Sequence, residues 1–170
     1  MDKNRKNLRN VATIVACLAV TVIFASCKKD TPEPEKTNYY TYDSKTFNVV
    51  WAGYYSGLDF YTFGIFADMP DSVGNVPNFF VINVPKSLIG QKIDMSKSWT
   101  GLSGTFRYDN KNLDFSTPNV GLTGTNNWIN VTHNSGDDFT FEFNMTIEGK
   151  LLAGKYVGTF LVDSNGWLNM

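Results

Sequence analysis

From Asp138 to Glu148 the chain alternates without a break. Phe139, Phe141, Phe143, Met145 and Ile147 fall on one side of an extended backbone, and Asp138, Thr140, Glu142, Asn144, Thr146 and Glu148 on the other. Successive strand side chains point to opposite faces, so this segment reads as a half-buried strand. Gly149-Lys150 follows, and then a second run from Leu151 to Val162. Glycine at the first central position suits a two-residue type II′ turn. With Gly149 and Lys150 as that turn, Ile147 faces Leu152, Met145 faces Gly154, Phe143 faces Tyr156, Phe141 faces Gly158 and Phe139 faces Phe160. Asn144 then meets Lys155 and Thr140 meets Thr159 on the wet face. A slip of one residue would set Lys155 against Phe143 in the core, so the pattern rejects it.

Period two continues through much of residues 39–170. Thr46–Tyr55 and Leu58–Ala67 read as a hairpin about Ser56-Gly57, and Asn78–Val84 as a further strand. Shorter strands are expected at Gly104–Tyr108, Asn112–Ser116, Val120–Gly124 and Trp128–Thr132, with a single helical turn over Pro85–Gly90 closed by Gly90. Short strands at such spacing predict one all-β domain, an antiparallel β-sandwich of about 8–10 strands, with a closed lipocalin-like barrel as the alternative.

The N-terminus has a different character. Lys3, Arg5, Lys6 and Arg9 precede Val11–Ser26, sixteen residues without a charge. As a helix that run reaches about 24 Å, short of the roughly 30 Å hydrocarbon core. Basic residues, a short apolar run and small residues before Cys27 read as an export signal over 1–26. The ending Phe24-Ala25-Ser26-Cys27 resembles the lipobox of bacterial lipoproteins. That resemblance implies cleavage between Ser26 and Cys27 and diacylglycerol, usually with a further acyl chain such as palmitate, on Cys27. Ile14-Val15-Ala16-Cys17 fits the same pattern but leaves only five apolar residues before it, so Cys27 is preferred. Residues 27–38, with Pro32 and Pro34 among charges, read as an extended tether of about 30 Å. Removing residues 1–26 takes away four basic residues and one acid, leaving 11 against 15 and a net charge of −4 instead of −1.

Cys27-Lys-Lys-Asp, Phe80-Val-Ile-Asn-Val-Pro-Lys-Ser-Leu-Ile-Gly, Ser103-Gly-Thr-Phe and Ile147-Glu-Gly-Lys with Gly154-Lys-Tyr-Val-Gly-Thr-Phe160 together resemble a loose group of small Bacteroidetes-type lipoproteins. The resemblance implies a lipid-anchored, β-rich protein of the outer membrane, on either its periplasmic or its surface face. These motifs are turn glycines and core positions and imply no catalytic residue. In such exported proteins Asp-Ser/Thr-aliphatic is an O-glycosylation signal, and Asp71-Ser72-Val73 matches it, with Ser72 as the acceptor.

The residues offer little chemistry. Near-neutral charge gives no basic surface for nucleic acid. The single histidine, His133, lies in a polar stretch, and no Gly-x-Ser-x-Gly elbow exists. Glu142 and Glu148 share a strand face about 20 Å apart, beyond the roughly 5–9.5 Å of a glycosidase pair. Asp109–Asp114 is dense in oxygen ligands but lacks the glycine and the bidentate glutamate of an EF-hand, so a turn is expected. No cofactor or metal site is predicted.

Aromatics are the surplus. Phe47, Trp51, Tyr54, Tyr55, Phe60, Tyr61, Phe63 and Phe66 occupy both faces of the first hairpin. One face must be core. The other is either covered by Pro85–Trp99, through Leu88, Ile89, Ile93 and Met95, or left as a stacking platform. Trp128 beside Thr123-Gly-Thr-Asn-Asn127 pairs a ring with amide donors, a usual composition for a ligand site. Candidate stacking residues are Trp51, Tyr54, Trp99, Trp128 and Trp167. The expectation is a non-catalytic, lipid-anchored accessory protein that binds glycan or an outer-membrane protein. The alternatives are a lipocalin-like carrier of an apolar ligand and a small hydrolase.

Overall fold

The computed structural model describes residues 37–69, 75–164 and 168. Ser26, Cys27, the tether up to residue 36, Ser72 and Trp167 lie outside the described residues.

The described chain is all-β. Its strands are β1 (Tyr39–Tyr42), β2 (Lys45–Asn48), β3 (Trp51–Ser56), β4 (Phe60–Phe66), β5 (Phe79–Pro85), β6 (Lys92–Asp94), β7 (Ser103–Tyr108), β8 (Lys111–Ser116), β9 (Leu122–Ser135), β10 (Asp138–Ile147), β11 (Lys150–Thr159) and β12 (Leu161–Val162). They form two six-stranded sheets, ordered β2-β1-β11-β10-β9-β6 and β12-β3-β4-β5-β7-β8. Every pairing is antiparallel except β12 with β3. Each sheet ends in two edge strands, so neither closes on itself. This is a sandwich, and the barrel alternative is overturned.

The inner faces explain why. Phe139, Phe141, Phe143, Met145 and Ile147 are all buried, as the alternation of β10 requires. From the second sheet Phe63, Phe80 and Phe106 meet them. Phe80 stacks on Phe143 at 4.7 Å and Phe63 packs edge-on to Phe139 at 5.1 Å. Fully burying one such ring contributes about 1.5–3 kcal/mol. A carrier would need that space empty; here it is filled by rings.

The strands expected at Asn78–Val84, Gly104–Tyr108 and Asn112–Ser116 appear as β5, β7 and β8, and Lys86–Leu88 forms the short helical turn as a single turn of 3-10 helix. Three expectations are corrected. The β10–β11 turn is Glu148-Gly149, with φ of 51° and 74°, and Ile147 pairs with Lys150. Both central residues at positive φ make it a type I′ turn, whose twist matches the strands. The whole register therefore moves by two residues: Phe143 faces Gly154 and Phe141 faces Tyr156. Gly154 is required there, because a Cβ would lie 2.6 Å from Tyr40 Cβ and 2.8 Å from Phe143 Cζ.

Thr46–Tyr55 is two strands, not one. The Val49 amide donates to Asn38 O at 2.9 Å in the first sheet, and the next amide, Val50, donates to Phe66 O at 2.8 Å in the second. The chain crosses between sheets at that point. Its inward parity switches with the crossing, from Phe47 and Val49 to Ala52 and Tyr54.

The outer aromatics of the first hairpin are not covered by Pro85–Trp99. Leu88, Ile93 and Met95 join the main core instead. Trp51, Phe66 and Phe79 form a separate cluster under Val76 and Leu168. Gly64 makes the notch for Leu168, since a Cβ there would overlap the leucine Cδ2.

Candidate functional site

Trp128 lies on the outer face of the first sheet. Ile129 and Val131 of β9 are buried inward, so Trp128 and Asn130 point outward by alternation. β6 pairs with this stretch, Lys92 opposite Asn130 and Asp94 opposite Trp128. The Lys92 ammonium stands 4.1 Å from the Trp128 ring centroid, a cation–π contact. Lys92, Asp94, Thr125, Asn126, Asn127 and Trp128 line an open depression of 280 Å³. The sequence motif that paired Trp128 with Thr123–Asn127 is therefore assembled in space.

Asn127 builds the site without facing a ligand. It is buried, and its Nδ2 donates to Thr123 O at 3.1 Å, Gly124 O at 3.3 Å and Asn119 Oδ1 at 3.3 Å. Its Oδ1 accepts the Thr146 amide at 2.8 Å. That side chain staples the β9 bulge, with Gly124 at φ 74°, to the register shift between Asn144 and Thr146. Val120–Gly124 and Trp128–Thr132, expected as two strands, are fused largely into one 14-residue strand across this bulge.

Asp94 is held as firmly. Its carboxylate Oδ1 accepts from Ser96 Oγ at 2.6 Å and Ser96 N at 2.9 Å, which draws its pKa below the ordinary aspartate value. The Trp99 indole donates Nε1 to Asp94 O at 2.8 Å. Oδ1 is the acceptor in both Ser96 contacts, leaving Oδ2 for a ligand hydroxyl. The arrangement offers an aromatic face, an ammonium, a carboxylate and the exposed Thr125 and Asn126.

Two rows of side chains extend this surface across the sheet. Asn48, Tyr39, Lys155, Glu142, Asn130 and Lys92 are successive cross-strand partners. Thr46, Thr41, Ala153, Asn144, Trp128 and Asp94 form the neighbouring row. Lys155 pairs with Glu142 at 2.9 Å, and Asn130 Nδ2 donates to Glu142 Oε2 at 3.4 Å.

The other stacking candidates are dispersed. Trp51 packs on Phe66 at 4.6 Å, on the opposite side of the sandwich. Tyr54 faces inward, 5.4 Å from Phe139, and donates its hydroxyl to Asp137 Oδ1 at 2.7 Å; that bond, with burial, pushes its pKa up to about 12. Trp99 packs against the main core. Among the described candidates no two share a surface as a stacked pair.

The weaker chemical candidates resolve into turns and ion pairs. His133 stacks on Phe139 at 4.7 Å and donates Nε2–H to Gly136 O at 2.7 Å, closing the β9–β10 hairpin. Glu148 meets Lys111 at 2.7 Å. Asp109 and Asn110, at φ 50° and 64°, form the β7–β8 turn. No group of three or more metal-ligating side chains occurs among the described residues.

Lys92 and Asp94 were missed in the sequence. The signal was present in Lys92-Ile93-Asp94-Met95, where two polar residues alternate with two that are buried. Three residues of alternation are too few to mark a strand without its partner. Comparison of the chain with protein-family models, curated proteins and solved structures gives no match in any of the three.

Proposed function

We propose that this protein is an exported, lipid-anchored and non-catalytic β-sandwich at the outer membrane, with a glycan-binding surface around Trp128. The observation that carries the binding reading is the Trp128 depression itself. An indole face suits the C–H face of a sugar ring, and Asp94, Asn126, Thr125 and Lys92 supply acceptors and donors around it. Lys92 has a flexible stem, so it can leave the indole and donate to a sugar hydroxyl. The lipobox-like Phe24-Ala25-Ser26-Cys27 and the proline-bearing tether support the anchoring half of the reading.

Glycan-array screening of the purified chain, followed by calorimetry on the strongest ligand, tests the binding half. Trp128→Ala is expected to weaken that ligand by about tenfold or more. An unchanged affinity removes Trp128 from the site. Replacing Cys27 with Ser is expected to abolish acyl labelling and membrane retention; labelling that persists refutes the anchor at Cys27.

A further inference from the structure

The outer face of the second sheet holds a separate polar cleft. Tyr55, Thr62, Asn83, Ser103 and Ser116 are direct partners in turn across β3, β4, β5, β7 and β8. The adjacent row is Gly53, Gly64, Val81, Thr105 and Asp114. Between them, on the β5–β7–β8 side, is an open depression of 370 Å³. Asn83, Ser103, Thr105, Asp114 and Ser116 give it polar walls, and Val81, Phe115, Val120 and Leu168 give it an apolar patch.

Its hydrogen-bonding groups are oriented in advance. Buried Thr62 donates Oγ1 to Asn83 Oδ1 at 2.7 Å, which fixes the amide and leaves Nδ2 as a donor. Thr105 donates Oγ1 to Asp114 Oδ1 at 2.7 Å, leaving Oδ2 as an acceptor. Ser103 and Ser116, opposite each other, can each donate and accept. The floor strands β5 and β7 have sheet partners on both sides, so a peptide strand has no free backbone to pair with there. The lining contains one carboxylate and no cation, which disfavours phosphate and other anions. Donors and acceptors beside an apolar patch match a chain of hydroxyls on a C–H framework.

We propose that this cleft is a second saccharide site, independent of Trp128, that takes a neutral sugar chain lying across the strands. The full chain in detergent micelles, carrying Trp128→Ala to remove the first site, is titrated with maltohexaose, cellohexaose and xylohexaose and followed by amide NMR. At least one of the three is expected to shift the amides of Asn83, Ser103, Thr105 and Ser116. Ser103→Trp in the same background fills the cleft and is expected to weaken that ligand about tenfold or more. Asp114→Asn, a milder change that keeps the Thr105 bond, is expected to weaken it about threefold. Absence of shifts at these amides with all three sugars, or affinity unchanged in both variants, overturns the proposal. Failure of the Trp128 reading has a different signature: in the unsubstituted chain the amides of Asp94, Asn126 and Trp128 do not shift with any sugar that the array selects.

Discussion

The two outer faces of the sandwich solve the same problem in opposite ways. Each sheet has a side turned away from the core, and each side carries a tryptophan. On the first sheet Trp128 stands among Lys92, Asp94, Asn130 and the Lys155–Glu142 pair, and polar groups manage the exposure. On the second, Trp51 lies with Phe66 and Phe79 beneath Val76 and Leu168, a small core of its own. One tryptophan therefore stays half-buried on a polar surface, and the other is packed into an apolar cluster. An aromatic surplus in a sequence identifies neither use, because what covers the ring comes from distant residues.

The largest expected effect tests the closed face. Leu168→Ala should destabilise the fold by about 2–5 kcal/mol, since it opens the notch over Gly64 and wets the Trp51–Phe66–Phe79 rings. Urea unfolding measures this directly. A loss within about 0.5 kcal/mol, the range of an ordinary surface change, would show that Leu168 does not cover that face.

On the open face the same measurement should find its cost in a polar residue. Asn127→Ala removes the buried staple between the β9 bulge and β10 and leaves the half-buried Thr146 amide without its acceptor, a loss of about 1–3 kcal/mol. Trp128→Ala should cost less than about 1 kcal/mol in the same assay, because its ring contributes to no buried cluster. If Trp128→Ala proves as damaging as Leu168→Ala, the distinction between the faces fails and Trp128 is a packing residue.

How much of this could be read beforehand depends on which contacts are local. The β10 alternation fixed which side of Phe139–Ile147 is core, and parity excluded a one-residue slip. A two-residue slip preserves parity, so only turn geometry could choose between Gly149-Lys150 and Glu148-Gly149. The Trp128 motif was legible because ring and amides are adjacent in sequence. Lys92 and Asp94 arrive from about 35 residues away through a three-residue strand, and Leu168 reaches Gly64 from over 100 residues away. The first leaves only three residues of alternation and the second leaves no periodic trace. The same holds for the crossing at Val49–Val50, where two consecutive amides bond to different sheets while the sequence runs on in unbroken strand-like composition.

The smallest expected effect concerns charge on the open face. Ser96 donates twice to the Asp94 carboxylate and favours its ionised form. A carboxylate with a depressed folded pKa adds stability above its unfolded value and loses it as pH falls through the folded value. That loss should therefore appear only below the usual aspartate pKa of 3.8. Asp94 therefore stays ionised between neutral pH and about pH 5, and sugar binding at Trp128 should show no pH dependence from it over that range. Carboxyl-carbon NMR should place the Asp94 midpoint below 3.8 in the native chain, and Ser96→Ala should move it back upward. On the second sheet the cluster around Trp51, Phe66 and Phe79 is apolar, and the Arg107 guanidinium lies 4.9 Å from the Phe79 ring. A midpoint unmoved by Ser96→Ala would mean that Asp94 is not pre-set as an acceptor, and the open face would then differ from the closed one only in what covers it.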